Sequence, residues 1–246
     1  MSGHNKWSTI KRKKGAMDAK RSKIFSKINK EITVAVKESG PDPDSNPRLR
    51  LAIANAKGAS MPKDNIQRAI SKGSDKDSAS FIECTFEGYA NGGVAIFLEA
   101  TTDNQQRTIS NVRMYFNKYN GSLGTNGSLS FIFDRKGIFT IPQGTLDPDD
   151  FEMEMIEAGA EDMQLEDGYF TVTTAMENFG SMMKKLETLK IEPENAQLQR
   201  IPKDTSKLDL ESSKKVMRLI ELFEEDDDIQ AVYHNLEMTD ELMDSL

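Results

Sequence analysis

The chain has 246 residues, a length typical of two or three domains, and a net charge of −8. Its single cysteine, Cys84, excludes a disulfide framework and a cysteine-rich zinc site. The longest apolar run, residues 94–98, is far shorter than the roughly 20 residues of a membrane span, and the first residues lack the apolar segment of a secretory signal. These features predict a soluble, intracellular protein that does not bind a membrane.

The charge is divided unevenly along the chain. Residues 1–76 contain 18 Lys and Arg against 7 Asp and Glu, a balance of +11. Residues 77–246 contain 14 basic and 33 acidic residues, a balance of −19. Such an asymmetry between two segments indicates a cationic module for a polyanion, attached to an acidic body.

The predicted elements begin with a polar arm, residues 1–17, and a helix that starts at Asp18 and ends at Gly40-Pro41. One side of this helix is apolar and comprises Ile24, Phe25, Ile28, Ile32, Ala35 and Val36. The opposite side is a lysine ridge that comprises Lys20, Lys23, Lys27, Lys30 and Lys37. We therefore expect the helix to bury one face and to present the lysine ridge on the other.

Two shorter helices follow. The first of them begins with Asn46 as its N-cap and ends at Gly58. The next runs from Met61-Pro62 to Gly73, where a glycine can adopt the left-handed conformation that ends a helix. Short amphipathic helices bury their apolar stripes on one another, so residues 18–73 are predicted to form a small bundle.

A linker is predicted at residues 74–80, and beyond it the hydrophobic period changes to two. Alternating residues 82–86 and 94–98 flank the turn sequence Ala90-Asn91-Gly92-Gly93, which is the pattern of a β-hairpin. A helix then opens at Asp103, whose spacing to Gln106 resembles a capping box. A strand at residues 129–133 completes this segment.

Residues 137–201 show a βαββαβ pattern, the element order of a ferredoxin-like unit. Its strands are predicted at residues 137–141, 163–165, 169–174 and 196–201. One of its helices is capped by Asp147, and the other covers about residues 178–189. A helix near residues 210–224 and a strand near residues 229–236 remain, and they are expected to complete the hairpin, helix and strand that precede the unit.

The predicted fold class is therefore α+β and multidomain. It consists of an N-terminal three-helix bundle plus two α/β sandwich domains of the ferredoxin-like type, with the third domain inserted in the second. The predicted domains are a basic arm and helical bundle at residues 1–76, a discontinuous α/β domain at residues 80–134 plus 206–246, and an inserted βαββαβ domain at residues 135–205.

Cations at the amino end are the strongest functional signal. They comprise Lys6, Lys11, Arg12, Lys13, Lys14, Lys20, Arg21, Lys23, Lys27 and Lys30. Lys and Arg that reach phosphates release condensed counterions, so this cluster favours nucleic-acid binding without base readout. Trp7, among these cations, could stack on an unpaired base or wedge at a helix step. The alternative is a merely solvated, lysine-rich helix face.

Several sequence runs resemble the YebC family of probable transcriptional regulatory proteins. They are Gly3-His4-Asn5-Lys6-Trp7, Ile10-Lys11-Arg12-Lys13-Lys14, Asp18-Ala19-Lys20-Arg21, Lys30-Glu31-Ile32, Asn46-Pro47-Arg48-Leu49-Arg50, Ala56-Lys57, Met61-Pro62-Lys63-Asp64-Asn65-Ile66, Arg68-Ala69-Ile70, Phe86-Glu87-Gly88-Tyr89, Gly92-Gly93-Val94-Ala95, Thr102-Asp103-Asn104 and Arg107-Thr108. The resemblance covers nearly the whole chain. The sequence departs from the family pattern at Ala90-Asn91 and at Gln105-Gln106.

The resemblance implies three domains and a cytoplasmic, DNA-binding transcriptional regulator. Relatives within the family also include a mitochondrial activator of translation and bacterial factors that act on stalled ribosomes. Its motifs add Arg48, Arg50 and Lys63 to the candidate nucleic-acid-binding residues. Asn65 and Arg68, on the polar side of a short helix, could face nucleic acid or only cap and solvate that helix.

Signals for catalysis are weak. His4 and His234, the two histidines, lie far apart in sequence, and no phosphate-binding glycine loop or nucleophile elbow is present. We therefore predict no catalytic residue, no metal site and no cofactor. A hydrolase built from carboxylates and a metal remains the enzymatic alternative.

The sequence thus predicts a non-enzymatic, nucleic-acid-binding regulator of gene expression. The expected partner is DNA, with ribosomal RNA as the alternative, and the acidic body could meet a protein partner. The residues leave open whether the chain is a monomer or a dimer.

Overall fold

The computed structural model describes residues 17–75 and 80–245, with side chains from residue 21 onward. The chain forms two compact units. Of the described residues, the first unit comprises 17–23, 80–134 and 201–245, and the second comprises 24–75 and 135–200.

The fold is α+β, with N-terminal helices and two four-stranded antiparallel sheets, as the sequence predicts. The helices are α1 (Met17–Ser39), α2 (Pro47–Gly58), α3 (Lys63–Ser74), α4 (Gln105–Lys118), α5 (Pro148–Glu157), α6 (Phe179–Thr188), α7 (Leu210–Glu225) and α8 (Asp240–Ser245). The strands are β1 (Ile82–Tyr89), β2 (Ala95–Thr102), β3 (Ser122–Leu123), β4 (Phe133–Pro142), β5 (Ala160–Glu166), β6 (Tyr169–Ala175), β7 (Asn195–Pro202) and β8 (Ile229–His234).

In the second unit, α1, α2 and α3 bury one another's apolar stripes. Their core comprises Ile32, Ala35, Val36, Leu49, Ala52, Ala56, Met61, Ile66 and Ala69. Asn46 is the N-cap of α2, as predicted, and its Oδ1 accepts from the backbone N–H of Leu49 at 3.0 Å. Its amide nitrogen donates to the carbonyl of Ala35 at 2.7 Å and to that of Gly40 at 2.8 Å, so one buried side chain joins the end of α1 to the start of α2.

The predicted end of α3 at Gly73 is wrong, because α3 continues to Ser74 and Gly73 is a buried helical residue. A Cβ atom at this position would lie 2.8 Å from the Cβ of Val36 on α1. The glycine therefore permits a close approach of two helices and does not form a left-handed cap.

In the first unit, the sheet has the strand order β3-β1-β2-β8. The last strand, β8, pairs antiparallel with β2 and places His234 opposite Ile96, so a segment more than 100 residues further along the chain completes the sheet. Helices α4 and α7 cover the sheet through a shared core that includes Val112, Phe116 and Phe223. Phe116 and Phe223 are in direct ring contact, with centroids 4.9 Å apart.

Two local predictions in this unit are corrected. The N-cap of α4 is Asn104, whose side chain accepts from the backbone N–H of Arg107 at 3.0 Å, and Asp103 is not the cap. Residues 129–133 do not form a strand, because turns extend to residue 132 and β4 begins at Phe133.

Buried Glu87 explains these turns. Its carboxylate accepts from the backbone N–H of Gly127 at 2.7 Å and from that of Leu129 at 2.6 Å, and its own carbonyl accepts from Gly124 N–H. Backbone donors that a neighbouring strand would need are thus occupied by a side chain of β1.

In the second unit, the other sheet has the order β5-β6-β4-β7, which places β6 between β4 and β5. This is the strand arrangement of the predicted ferredoxin-like unit, in which each crossover helix joins two strands that are not neighbours. Helices α5 and α6 pack on the sheet through a core that includes Phe139, Met155 and Met182. Asp147 caps α5, as predicted, by accepting from the backbone N–H groups of the first turn.

Also within the second unit, α2 packs against the edge strand β7. The amide of Asn55 donates to the carbonyl of Ala196 at 3.0 Å and accepts from its N–H at 2.9 Å, so that the side chain substitutes for a neighbouring strand. At Gly58, a Cβ atom would lie 1.7 Å from the carbonyl oxygen of Glu194. The bundle and this sheet therefore share one compact unit, while the three predicted domain boundaries stay a prediction.

Replacing Gly58 by alanine should force the end of α2 away from the carbonyl of Glu194. We expect a loss of about 1–3 kcal/mol in the free energy of unfolding, measured by urea denaturation. The control is Gly180→Ala in α6, where no atom lies within 4 Å of the new Cβ and the higher helix propensity of alanine should stabilise by up to about 1 kcal/mol. Equal effects of the two substitutions would contradict the contact.

Candidate nucleic-acid interface

The lysine ridge of α1 lies opposite the buried stripe of that helix. Ile32, the centre of the stripe, is fully buried, whereas Lys27 and Lys30 are half-buried. The apolar face therefore fixes the rotation of α1, as the helical period predicts, but the prediction is wrong for Ile24, which is 48% exposed. Lys37, nearer the carboxyl end, is exposed.

Two further cations of α1 lie in the first unit. Arg21 is exposed. The ammonium group of Lys23 donates to the backbone carbonyl of Glu225 at 2.9 Å, at the carboxyl end of α7. A cation at this end of a helix interacts favourably with the helix dipole, so Lys23 also has a structural contact.

Arg48 is engaged in ion pairs inside the bundle. Its Nε donates to Glu31 at 2.9 Å and its Nη1 donates to Glu38 at 2.8 Å, both on α1. Arg48 thus joins α2 to α1, and two carboxylates compensate its charge. Arg50 is exposed on the same helix and donates to the carbonyls of Pro43 and Asp44 at 3.2 and 3.4 Å.

The candidates on α3 are at its amino-terminal half. Lys63 and Arg68 are exposed, and Asn65 is half-buried. The guanidinium of Arg68 donates to the carbonyl of Asp64 at 3.3 Å within the same helix. A role of Lys63, Asn65 and Arg68 in phosphate binding stays a prediction.

Other candidates lie outside the described part of the chain. They are Lys6, Trp7, Lys11, Arg12, Lys13 and Lys14. Lys20 belongs to α1, but its side chain is outside the description as well. The role of these residues in binding stays a prediction.

Sequence reasoning missed a polar network in the first unit. Buried Asp228 accepts from Arg107 at 2.7 Å and from the hydroxyl of Thr108 at 2.9 Å. Arg107 also donates to Asp103 at 2.7 Å. The hydrogen bond to Asp228 is the main cause that raises the pKa of Arg107 above its usual range, so the guanidinium stays charged.

The part of this network that lies near α4 is visible in the sequence as the motif Thr102-Asp103-Asn104 with Arg107-Thr108. Asp228 comes from a distant acidic run and could not be paired with the motif by spacing. The network attaches the start of α4 to the start of β8, which is a structural role.

Within residues 17–75 and 80–245, no group of three or more His, Cys, Asp or Glu side chains could hold a metal ion. Desolvation by burial, with a smaller contribution from the charge of Asp228, raises the pKa of the Cys84 thiol, which disfavours a reactive thiolate.

Within residues 17–75 and 80–245, no helix has the length and apolar character that crossing a membrane requires.

The fold and these residues define an α+β protein in which a basic helical segment precedes two antiparallel sheets. Models of two families match it: the TACO1/YebC protein N-terminal domain at residues 5–76, and the TACO1/YebC second and third domain at residues 81–236. The chain belongs to the TACO1/YebC family, which confirms the resemblance stated from the motifs.

Individual relatives extend over the full chain. A protein of Amoebophilus asiaticus named "Probable transcriptional regulatory protein" is 53% identical and covers 96% of this chain and 98% of its own length. A protein of the same name from Rubrobacter xylanophilus is 46% identical, with coverage of 99% and 98%. The crystal structure of a conserved hypothetical protein from Aquifex aeolicus is 42% identical, with a TM-score of 0.81 and coverage of 91% and 93%.

A comparison of Arg48 with Arg50 tests the structural role of Arg48. Arg48→Gln should lower the free energy of unfolding by about 1 kcal/mol, because two partly exposed ion pairs with α1 are lost. Arg50→Gln should stay within about 0.5 kcal/mol of the parent protein. Urea denaturation followed by circular dichroism measures both values, and an equal loss in the two variants would refute the structural role of Arg48.

Proposed function

We propose that this protein is a non-enzymatic, nucleic-acid-binding regulator of gene expression that acts on DNA as a transcriptional regulator. The observation that carries the proposal is the separation of charge, +11 over residues 1–76 against −19 over the remainder. The name that the relatives bear, probable transcriptional regulatory protein, supports the same function.

The phosphate contact is assigned to the arm and α1. Cations there neutralise phosphates and release counterions, which gives affinity that is independent of sequence and depends strongly on salt. The packing of α1 supports this assignment, because burial of Ile32 turns Lys27 and Lys30 away from the core. Arg21 and Arg50, both exposed, extend the set, whereas Arg48 acts by holding α2 on α1.

The acidic body has a complementary role. Like charges repel, so the carboxylate-rich surfaces of these domains remain away from the phosphate backbone and orient the protein with its basic end on the ligand. This acidic surface can also bind a protein partner. Binding by charge and position requires no cofactor, no metal and no catalytic residue.

The basic run of the arm provides the sharpest test. Changing Lys11, Arg12, Lys13 and Lys14 together to alanine should reduce the slope of log K against log salt by about 3, since each phosphate contact contributes roughly 0.7–0.9. The measurement is fluorescence anisotropy of labelled duplex DNA over a salt series. Binding should weaken alike for unrelated sequences, because phosphate contacts carry no base information.

The control removes an equal number of exposed cations elsewhere, at Lys184, Lys207, Lys215 and Arg218. We expect the slope of this variant to match that of the parent protein. An equal fall in both variants would refute the arm as the contact, and a loss confined to one DNA sequence would indicate base readout.

Crosslinking in cells, followed by sequencing of the attached nucleic acid, identifies the physiological ligand. We expect crosslinks at promoter DNA, and the lysine-to-alanine variant of the arm should lose them. Crosslinks concentrated in ribosomal RNA would instead favour the alternative, a translation factor that uses the same cations on the ribosome.

A further inference from the structure

Helix α4 differs in charge from its surroundings. Its sequence, QQRTISNVRMYFNK, contains Arg107, Arg113 and Lys118 and no acidic residue. Every other α-helix described beyond residue 80 contains Asp or Glu, and residues 77–246 together have a balance of −19. A purely basic helix within an acidic segment requires a separate explanation.

The cations of α4 lie on its outer face. Thr108, Val112 and Phe116 are buried against the sheet. The solvent-facing stripe, spaced as one side of a helix, comprises Gln106, Ser110, Arg113, Met114 and Asn117. Together with Lys118, the last four of these line an open depression on the helix surface.

Acidic groups that contact α4 are engaged by other residues of the helix. Asp228 is held by Arg107 and Thr108. Asp226 accepts from the hydroxyl of Tyr115 at 3.1 Å and from the amide of Asn111 at 3.4 Å, on the flank of the helix.

The two remaining cations of α4 are not neutralised in this way. Across the part of the chain that the structure describes, no carboxylate forms an ion pair with Arg113 or Lys118. The ammonium of Lys118 lies 5.7 Å from the centroid of the adjacent Tyr119 ring. Positive charge therefore stays exposed at the carboxyl-terminal half of α4.

We propose that the outer face of α4 is a second nucleic-acid contact, in which Arg113 and Lys118 bind phosphates and Asn117 donates to the sugar–phosphate backbone. The proposal rests on the proposed function for the class of ligand, but its residues are independent of the arm. The polar donors and the absence of carboxylates fit phosphate contacts. A protein-binding surface would present aromatic anchors, whereas the stripe contains a single apolar side chain, Met114.

The test is the double variant R113Q/K118Q of the full chain. Both side chains are exposed, so the fold should be retained, which circular dichroism checks. The slope of log K against log salt should fall by about 1.4–1.8 for a labelled duplex DNA or a labelled single-stranded RNA. The matched control, K215Q/R218Q, removes two exposed cations from α7 of the same unit and should leave the slope unchanged.

An unchanged slope for R113Q/K118Q, or an equal fall in the control, would overturn the α4 contact and leave the function proposed for the arm intact. A fall in R113Q/K118Q, together with no effect of the four alanine changes at residues 11–14, would support α4 and refute the arm. As a second measurement, the photoreactive substitution Met114→p-benzoylphenylalanine should crosslink the oligonucleotide, and the same substitution at Lys215 should not. Absence of the crosslink at Met114 would count against the proposal.

Discussion

Burial of the apolar side of α1 is the constraint on which the basic end of this protein depends. Ile32, Ala35 and Val36 leave water only by packing on α2 and α3, and this packing permits one rotation of α1 about its axis. The same rotation turns Lys27 and Lys30 away from the core. Since lysine side chains are rarely fully buried, the packing that places the core also determines where this positive charge lies.

Buried polar side chains connect helices, strands and turns to one another through hydrogen bonds. Glu87 holds a turn segment by its backbone N–H groups, and Asp228 holds the start of α4 through Arg107. Asn55 completes the open edge of β7. Each of these groups has partners, which a buried polar group requires, so these side chains serve the packing of the fold. Carboxylates that do not form such internal contacts face solvent, where their charge repels the phosphate groups of a nucleic acid.

Local signals account for the elements that the sequence predicted correctly. The N-caps Asn46 and Asp147 act on backbone N–H groups two or three residues away, so spacing alone identifies them. Two of the errors have a nonlocal origin. A strand was expected at residues 129–133, but a carboxylate some forty residues earlier in the chain binds the N–H of Leu129. Gly73 was expected to end a helix, but its close contact is with Val36.

The sequence by itself determined the α+β class, the order of the elements and the concentration of cations at the amino end, because periodicity, capping and charge are read over short windows. Only the tertiary structure decided which polar residues serve the fold and which remain for a ligand. Arg48 and Arg50, two residues apart, are alike in sequence, yet only the former forms ion pairs with Glu31 and Glu38. The uncompensated charge on the outer face of α4 likewise cannot be identified from the sequence. It depends on how β8 and α7 pack on α4, because contacts between distant segments determine which charges are compensated.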